Sequence, residues 1–224
     1  ITGMCLAEDH LQSQLLIEYS LPRLKNYLDL YGPEGEFNES VAYSSATLHP
    51  VAFFMAHRYT SEGSQNRLAQ HPFPETCRWT MYLTLPPGRV ADFGDSKIHA
   101  RPTVAFFTAV ADATHDGIIQ GFYLNHSNPL TSPNLPWEFL WFNSNLQPVP
   151  AEGNLSKGRA FKAHSACISS RTNWDPYSTP CVVYGKGGHG SEKHGNHDAG
   201  QVCIDGYGER LIVDLGSPPG YPLD

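Results

Sequence analysis

The chain has 224 residues, of which 40% are hydrophobic and 17% charged, and its formal net charge is −7. This length allows one large domain or two smaller ones, and the apolar fraction supports a folded core rather than a disordered chain. The acidic balance argues against a nucleic-acid partner, which requires a basic surface. No apolar run reaches the roughly 18 residues of a membrane span. The five cysteines form no C-x-x-C pair, which argues against a zinc knuckle and a dense disulfide framework.

The first part of the chain, residues 1–156, has the pattern of helices joined by proline-rich loops. Pro22 should start or kink the first long helix, and residues 32–33 (Gly-Pro) should end it. The apolar face of that helix is predicted from four residues at helical spacing: Leu21, Leu24, Leu28 and Tyr31. Further helices are predicted over residues 41–59 (disturbed at Pro50), 75–85, 101–114, 117–124 and 136–142. No strand of useful length is predicted before residue 150.

The second part, residues 157–224, has a different pattern. Residues 161–170 are predicted to form a strand, and residues 201–205 and 209–215 a hairpin around Gly206, Tyr207 and Gly208. The predicted fold class is therefore a multidomain α+β protein, in which a helical domain is followed by an antiparallel β domain.

The densest polar cluster is the glycine- and histidine-rich segment 187–200, GGHGSEKHGNHDAG. It holds His189, His194 and His197, and imidazoles either titrate near neutral pH or bind metals. Asp214 follows His197 across the predicted hairpin, so strand pairing could bring the two together as a His/Asp metal pair. A solvated loop or an incidental metal site would explain the same segment.

Two other segments combine polar and aromatic residues. In residues 35–43, GEFNESVAY, Asn38 or Ser40 could simply cap a helix and Tyr43 could be a core or interface aromatic residue. In residues 169–175, SSRTNWD, the side chain of Arg171 suits a carboxylate and that of Trp174 suits a sugar face. The alternative there is a salt bridge from Arg171 to Asp175 beside a packed tryptophan.

Taken in order, five motifs resemble the heparinase II/III-type polysaccharide lyases. They are GEFNESVAY (35–43), DFGDS (92–96), SSRTNWD (169–175), GGHGSEKHGNHDAG (187–200) and GYGERLIVDLGSPPGY (206–221). The resemblance implies an α/α toroid followed by antiparallel β-sandwich material, so that residues 1–156 would be the C-terminal part of an incomplete toroid and residues 157–224 the start of a sandwich. It also implies a secreted or periplasmic enzyme that cleaves an acidic, uronate-containing glycan by β-elimination.

The resemblance also implies roles for individual residues. Tyr43 would be the catalytic tyrosine and His194 the catalytic histidine, while Glu39 and Arg171 would position the substrate and His189 is a lesser catalytic candidate. A tyrosine has a reference pKa near 10, so a nearby cation such as His194 or Arg171 would have to stabilise its phenolate. Further substrate contacts are expected from Asn38, Trp174 and Asn196, and a structural zinc from His197 and Asp214.

Two departures from the family pattern affect this prediction. The helix that would carry an Asn or His carboxylate neutraliser would precede Ile1, and Asn196 stands where the family has the second histidine of its H-x-H motif, often a metal ligand. A further zinc ligand would be expected past Asp224. On this basis we expect residues 1–224 alone to fold poorly, bind zinc weakly and lack lyase activity. We expect a longer chain to fold stably, bind zinc and cleave its substrate.

Three alternatives remain at the level of sequence. A uronate C5-epimerase would share the proton abstraction but return the proton, and a non-catalytic glycan-binding protein would keep the fold and the aromatic residues. A metal hydrolase could be built on His189, His194, His197 and Asp198.

Overall fold

A computed structural model describes residues 2–6, 10–37, 39–60, 66–128, 130, 132–163, 166–175, 178, 180–188 and 198–214. These residues form a mixed α+β fold with an antiparallel sheet, which confirms the α+β part of the predicted class. The helices are α1 (Thr2–Cys5), α2 (Ser13–Leu28), α3 (Leu48–Thr60), α4 (Phe73–Tyr82), α5 (Phe107–Thr114), α6 (Gly117–His126) and α7 (Leu135–Trp141), with 3₁₀ helices at Ala42–Thr47 and Arg67–Ala69. The strands are β1 (Thr84–Leu85), β2 (Arg89–Val90), β3 (Gly158–Phe161), β4 (Cys167–Arg171), β5 (Val182–Lys186), β6 (Val202–Gly206) and β7 (Glu209–Ile212).

Helices α4 and α5 form the centre of the helical part. Seven of the ten residues of α4 are buried, among them Trp79 and Tyr82, and six of the eight residues of α5 are buried. Helix α6 is capped at its N-terminus by Asp116, whose side chain accepts hydrogen bonds from the N–H groups of Ile118 and Ile119 in the first turn. Among the described residues, no helix is both long enough and apolar enough to cross a membrane.

The second part of the chain forms a five-stranded antiparallel sheet in the order β3-β4-β5-β6-β7. Alternate residues of each strand point to opposite faces of the sheet, and the register places Phe161, Cys167, Tyr184 and Cys203 on the face that packs against the helices. These buried side chains join the helical residues in one hydrophobic core.

Tyr82, the last residue of α4, links the two parts. Its ring packs edge-on against Phe161 and Trp174, with ring centroids 6.0 and 4.9 Å away. Its carbonyl accepts hydrogen bonds from the Ser169 hydroxyl and from Arg171 Nη2, both at 2.6 Å. The sheet is therefore fixed to the end of the central helix.

The structure corrects several predicted elements. Pro22 lies inside α2, which begins at Ser13 rather than at the proline. Pro50 is the third residue of α3, and the change of helix type comes before it, between Thr47 and Leu48. The helix predicted from residue 101 begins only at Phe107, and the strand predicted over 161–170 is two strands, β3 and β4. Strands β1, β2 and β5 were not predicted.

Candidate active site

Tyr43 lies on the 3₁₀ helix Ala42–Thr47, on a well-anchored backbone. Val41 and Ser44 on either side are buried, and the Ser44 hydroxyl donates to the Val41 carbonyl at 2.6 Å. The Tyr43 side chain itself is 37% exposed, so it is accessible from solvent and is not a core residue. A phenol held on a fixed backbone at the surface is suited to proton transfer with a bound substrate.

The loop over residues 92–96, DFGDS, supports the start of the Tyr43 helix. The Ser96 hydroxyl accepts a hydrogen bond from the N–H of Ala42 at 3.3 Å. Gly94 has a φ of 65°, and a Cβ there would lie 3.2 Å from Cβ of Ser40. The loop therefore approaches the helix start as closely as a glycine permits.

The same loop holds one end of the histidine-rich segment. Asp198 is buried, and its Oδ2 accepts a hydrogen bond from the N–H of Gly94 at 2.6 Å. The segment is the connection between β5 and β6, and it is closed at its base by the Gly200 N–H, which donates to the Lys186 carbonyl at 2.7 Å. Asp198 therefore connects the histidine-rich segment to the same loop that contacts the start of the Tyr43 helix.

Five predicted site residues, namely Asn38, His189, His194, Asn196 and His197, lie outside the described residues. Of the others, Glu39 is partly buried and immediately precedes Ser40. The Glu39 carboxylate also acts on Tyr27 of α2. Burial is the main cause of the raised pKa of Tyr27, a hydrogen bond with Tyr31 lowers this pKa, and the negative charge of Glu39 raises it further.

Arg171 and Trp174 occupy a different neighbourhood from that of Tyr43. Arg171 is the last residue of β4, whereas the histidine-rich connection leaves the sheet at the other end of this strand, where Lys186 pairs with Cys167. Four residue steps of a strand separate the two ends by about 13 Å. The Arg171 guanidinium lies over the Trp174 ring, 3.8 Å from its centroid, and the indole Nε1–H donates to the Ser156 carbonyl at 3.1 Å. Trp174 is thus a buried packing residue whose ring is covered by the arginine.

Asp214, predicted as a metal ligand, lies beside Cys203 and Asp92. Burial raises the pKa of the Cys203 thiol, the Asp92 charge adds to the rise, and a hydrogen bond from the main chain of Asp214 opposes it. Within the described residues, no group of three or more His, Cys, Asp and Glu side chains is arranged to hold a metal ion. A zinc site at Asp214 would therefore need ligands from outside the described residues, such as the predicted His197.

Sequence reasoning missed a buried charge network behind the 92–96 loop. Asp92 accepts hydrogen bonds from the Tyr184 hydroxyl at 2.9 Å and from Arg210, and Asp205 pairs with Arg89 at 3.1 Å. Burial raises the pKa of Asp92, while the Tyr184 hydrogen bond and the Arg210 charge oppose this rise. The motifs DFGDS and GYGER contain Asp92 and Arg210, but nothing local in the sequence pairs residues 118 positions apart.

Among known proteins, no family model matches the chain and no curated protein matches it significantly. The resemblance to the heparinase II/III type rests on the five motifs alone.

Proposed function

We propose that the protein is a polysaccharide lyase that cleaves an acidic, uronate-containing glycan by β-elimination, with Tyr43 at the reacting centre. The observation that carries this proposal is the junction of the Tyr43 helix, the 92–96 loop and Asp198, made by the Ala42–Ser96 and Gly94–Asp198 hydrogen bonds. It supports a site to which both the exposed Tyr43 phenol and the histidine-rich connection contribute. Three of the five motifs that carry the resemblance thus meet at one place.

The proposed chemistry follows from these residue types. A base, either His194 or the Tyr43 phenolate, takes the C5 proton of the uronate, and the C5 electron pair forms a C4–C5 double bond. The C4–O4 bond breaks, its electrons stay on O4, and the leaving oxygen takes a proton from the acid of the pair. Negative charge develops on the carboxylate of the uronate, so donors fixed beside it before the reaction would stabilise the transition state.

The proposal assigns the proton transfers to Tyr43 and His194, with Glu39, His189, Asn38 and Asn196 as supporting groups. Arg171 and Trp174 belong to the far end of β4, so we assign them no part in the chemical step. An acidic chain can still bind an anionic glycan, because the local field of a cleft governs binding more than the net charge does.

We extend the proposal to the architecture of a toroid and a sandwich. The sheet face that points away from the helices carries Ile168, Val202 and Ile212, each about half exposed. Such an apolar face supports a second sheet packed over it, since aligned sheets bury their facing apolar side chains. A structural zinc held by His197 and Asp214 remains part of the proposal, and metal analysis of the purified protein tests it.

The deciding experiment incubates the full-length protein with alginate, heparan, chondroitin, hyaluronan and ulvan. A lyase produces an unsaturated uronate that absorbs in the near ultraviolet, whereas an epimerase incorporates solvent deuterium at C5 without this absorbance. A glycan-binding protein would do neither and would only bind.

We expect Tyr43→Phe to lower turnover by at least about 10²-fold, the scale of a lost acid/base group, with little change in folding. Tyr207→Phe is the matched control, because Tyr207 lies in the β6–β7 turn and is 86% exposed. If the Tyr43→Phe protein turns over as fast as the Tyr207→Phe protein, the assignment of Tyr43 is wrong.

A further inference from the structure

Residues 127–151, which contain helix α7, have almost no charge. The only charged residue in this stretch of the sequence is Glu138, although 17% of the whole chain is charged. Glu138 is buried, and its carboxylate accepts hydrogen bonds from the Tyr123 hydroxyl at 2.8 Å and from the Ser132 hydroxyl. The side chains that the described part of this stretch presents to solvent are therefore neutral.

The outer face of α7 is apolar. Leu135 and Phe139 are four residues apart, as are Pro136 and Leu140, so these four side chains lie on one side of the helix. All four are exposed, whereas Trp141 on the opposite side is buried. A helix with apolar residues on almost all sides is normally buried, either in a protein core or in a membrane.

Contacts beneath α7 hold this apolar face outward. The Trp137 ring stacks on the ring of the buried Trp141, with centroids 5.3 Å apart and 27° between the ring planes. The hydrogen bonds of Glu138 fix the same side of the helix. The apolar side chains exposed here thus belong to a well-anchored element, and we call the large ones the α7 patch: Leu130, Leu135, Trp137, Phe139 and Leu140.

The shape of the α7 patch favours a fluid partner. Phe139 is 81% exposed and Leu130 is 95% exposed, so they project from the surface and do not line a groove. A protein interface requires complementary shapes, which two copies of one convex ridge do not provide, and the net charge of −7 on each copy opposes their association. A glycan requires polar partners for its hydroxyls, whereas this patch is made mainly of leucine and phenylalanine. A lipid surface accommodates a convex apolar ridge.

The charge of the α7 patch indicates which lipid surface it fits. Residues 127–151 contain no lysine or arginine, so they lack the attraction to anionic lipids that a basic segment provides. The acidic chain as a whole would be repelled by an anionic surface. At seven residues, α7 is too short to cross a bilayer, but leucine, phenylalanine and tryptophan on a short helix suit its interfacial region.

We propose that the α7 patch binds the protein to the surface of a zwitterionic lipid bilayer. Helix α7 lies in the plane of the interface, with Phe139 and Leu140 at the upper acyl carbons and Trp137 at the level of the headgroups, where tryptophan is enriched. This inference does not depend on the proposed glycan cleavage, which uses the Tyr43 site.

The experiment sediments the full-length protein with phosphatidylcholine vesicles, and with vesicles in which phosphatidylserine replaces part of the phosphatidylcholine. The test variant is Phe139→Ser/Leu140→Ser. Its matched control is Leu15→Ser/Tyr19→Ser on α2, which also removes one leucine and one aromatic side chain that are more than half exposed. We expect the unmodified protein to bind phosphatidylcholine vesicles, and phosphatidylserine not to tighten this binding. The test variant should bind at least 10-fold more weakly, and the control variant should differ from the unmodified protein by less than twofold.

Tryptophan fluorescence provides a second measurement that does not depend on the serine variants. Phosphatidylcholine with brominated acyl chains quenches a tryptophan that reaches the bilayer, and Trp137 is the exposed one, since Trp79, Trp141 and Trp174 are buried. We expect these vesicles to quench the unmodified protein. The Trp137→Phe protein should lose most of this quenching and still sediment with the vesicles.

The inference is wrong if the unmodified protein does not bind phosphatidylcholine vesicles, if the test variant binds them as tightly as the control variant, or if brominated lipid causes no quenching. Tighter binding to the vesicles with phosphatidylserine would also contradict it, because a charged surface elsewhere would then hold the protein. Sedimentation velocity tests the alternative of a second copy: a dimer that the test variant dissociates would show that another copy covers the patch. Loss of glycan binding in the test variant, without loss of vesicle binding, would assign the patch to a glycan instead.

Discussion

Gly94 shows how one residue can set the geometry of the candidate active site. Its φ of 65° lies in the left-handed region, its N–H donates to Asp198, and its Cα faces Ser40. Any side chain here would add backbone strain and push Ser40 away from the loop. The requirement for glycine thus couples the Tyr43 helix to the histidine-rich connection.

We expect Gly94→Ala to lower the free energy of unfolding by roughly 2–3 kcal/mol, of which about 1–2 kcal/mol is the left-handed conformation and the rest the contact with Ser40. Gly153→Ala is the control, since Gly153 has a φ of 78° and a Cβ there would meet no atom within 4 Å. This variant should lower the free energy of unfolding only by the cost of the left-handed conformation. Denaturant unfolding of both variants measures the difference, and equal costs would show that Ser40 yields without penalty.

His126 should make stability depend on pH. Its folded pKa of about 4 lies below the ordinary value of 6.5, mainly because of burial. A histidine shifted in this direction contributes stability that is fully present above about pH 6.5 and is lost as the pH falls through 6.5 toward 4. The loss at pH 4 is on the order of 3 kcal/mol.

The variant His126→Gln tests this dependence, with His10→Gln, at an exposed position, as the control. Unfolding free energies of each protein are measured between pH 4 and pH 7, and the unmodified protein is subtracted to remove the contribution of the carboxylates. The His126→Gln protein should lose less stability on acidification than the unmodified protein. Parallel curves for all three proteins would contradict the prediction.

At the scale of elements, the local sequence pattern predicts helices and strands that are buried on one side or that have capping or turn residues at their ends. Helix α6 was predicted over 117–124 and is found at Gly117–His126, because an apolar stretch follows the capping residue Asp116. Strands β6 and β7 were predicted from the two glycines around Tyr207, which takes a φ of 55° between them.

Strand β5 was missed for a physical reason. It is the central strand of the sheet, and four of its five residues are buried: Val182, Tyr184, Gly185 and Lys186. It therefore lacks the alternation of apolar and polar residues that marks a strand with one solvent-exposed face. The two-residue strands β1 and β2 are too short to carry any period. The candidate site was predictable as a set of motifs, whereas the separation of Arg171 from Tyr43 depended on the strand register, which no motif encodes.

At the scale of the whole molecule, the helical part and the sheet are joined by apolar packing and by buried charge. Tyr82 provides the apolar contact, and the network of Asp92, Arg210, Asp205 and Arg89 lies between the β1–β2 segment and strands β6 and β7. Opposite charges in this setting stabilise the structure only as a complete set, since removal of one partner leaves a buried charge uncompensated.

We expect Asp92→Asn to lower the free energy of unfolding by about 3–5 kcal/mol, because it leaves the buried Arg210 with Asp205 alone, at 3.9 Å. Asp29→Asn is the control: it breaks the exposed Lys25–Asp29 pair and should cost less than about 1 kcal/mol. Far-ultraviolet circular dichroism and tryptophan fluorescence should still give coincident transitions in the Asp92→Asn protein, because the two parts share one core. If the two transitions separate, the charge network rather than the shared core holds the sheet to the helices, and the molecule unfolds in two steps.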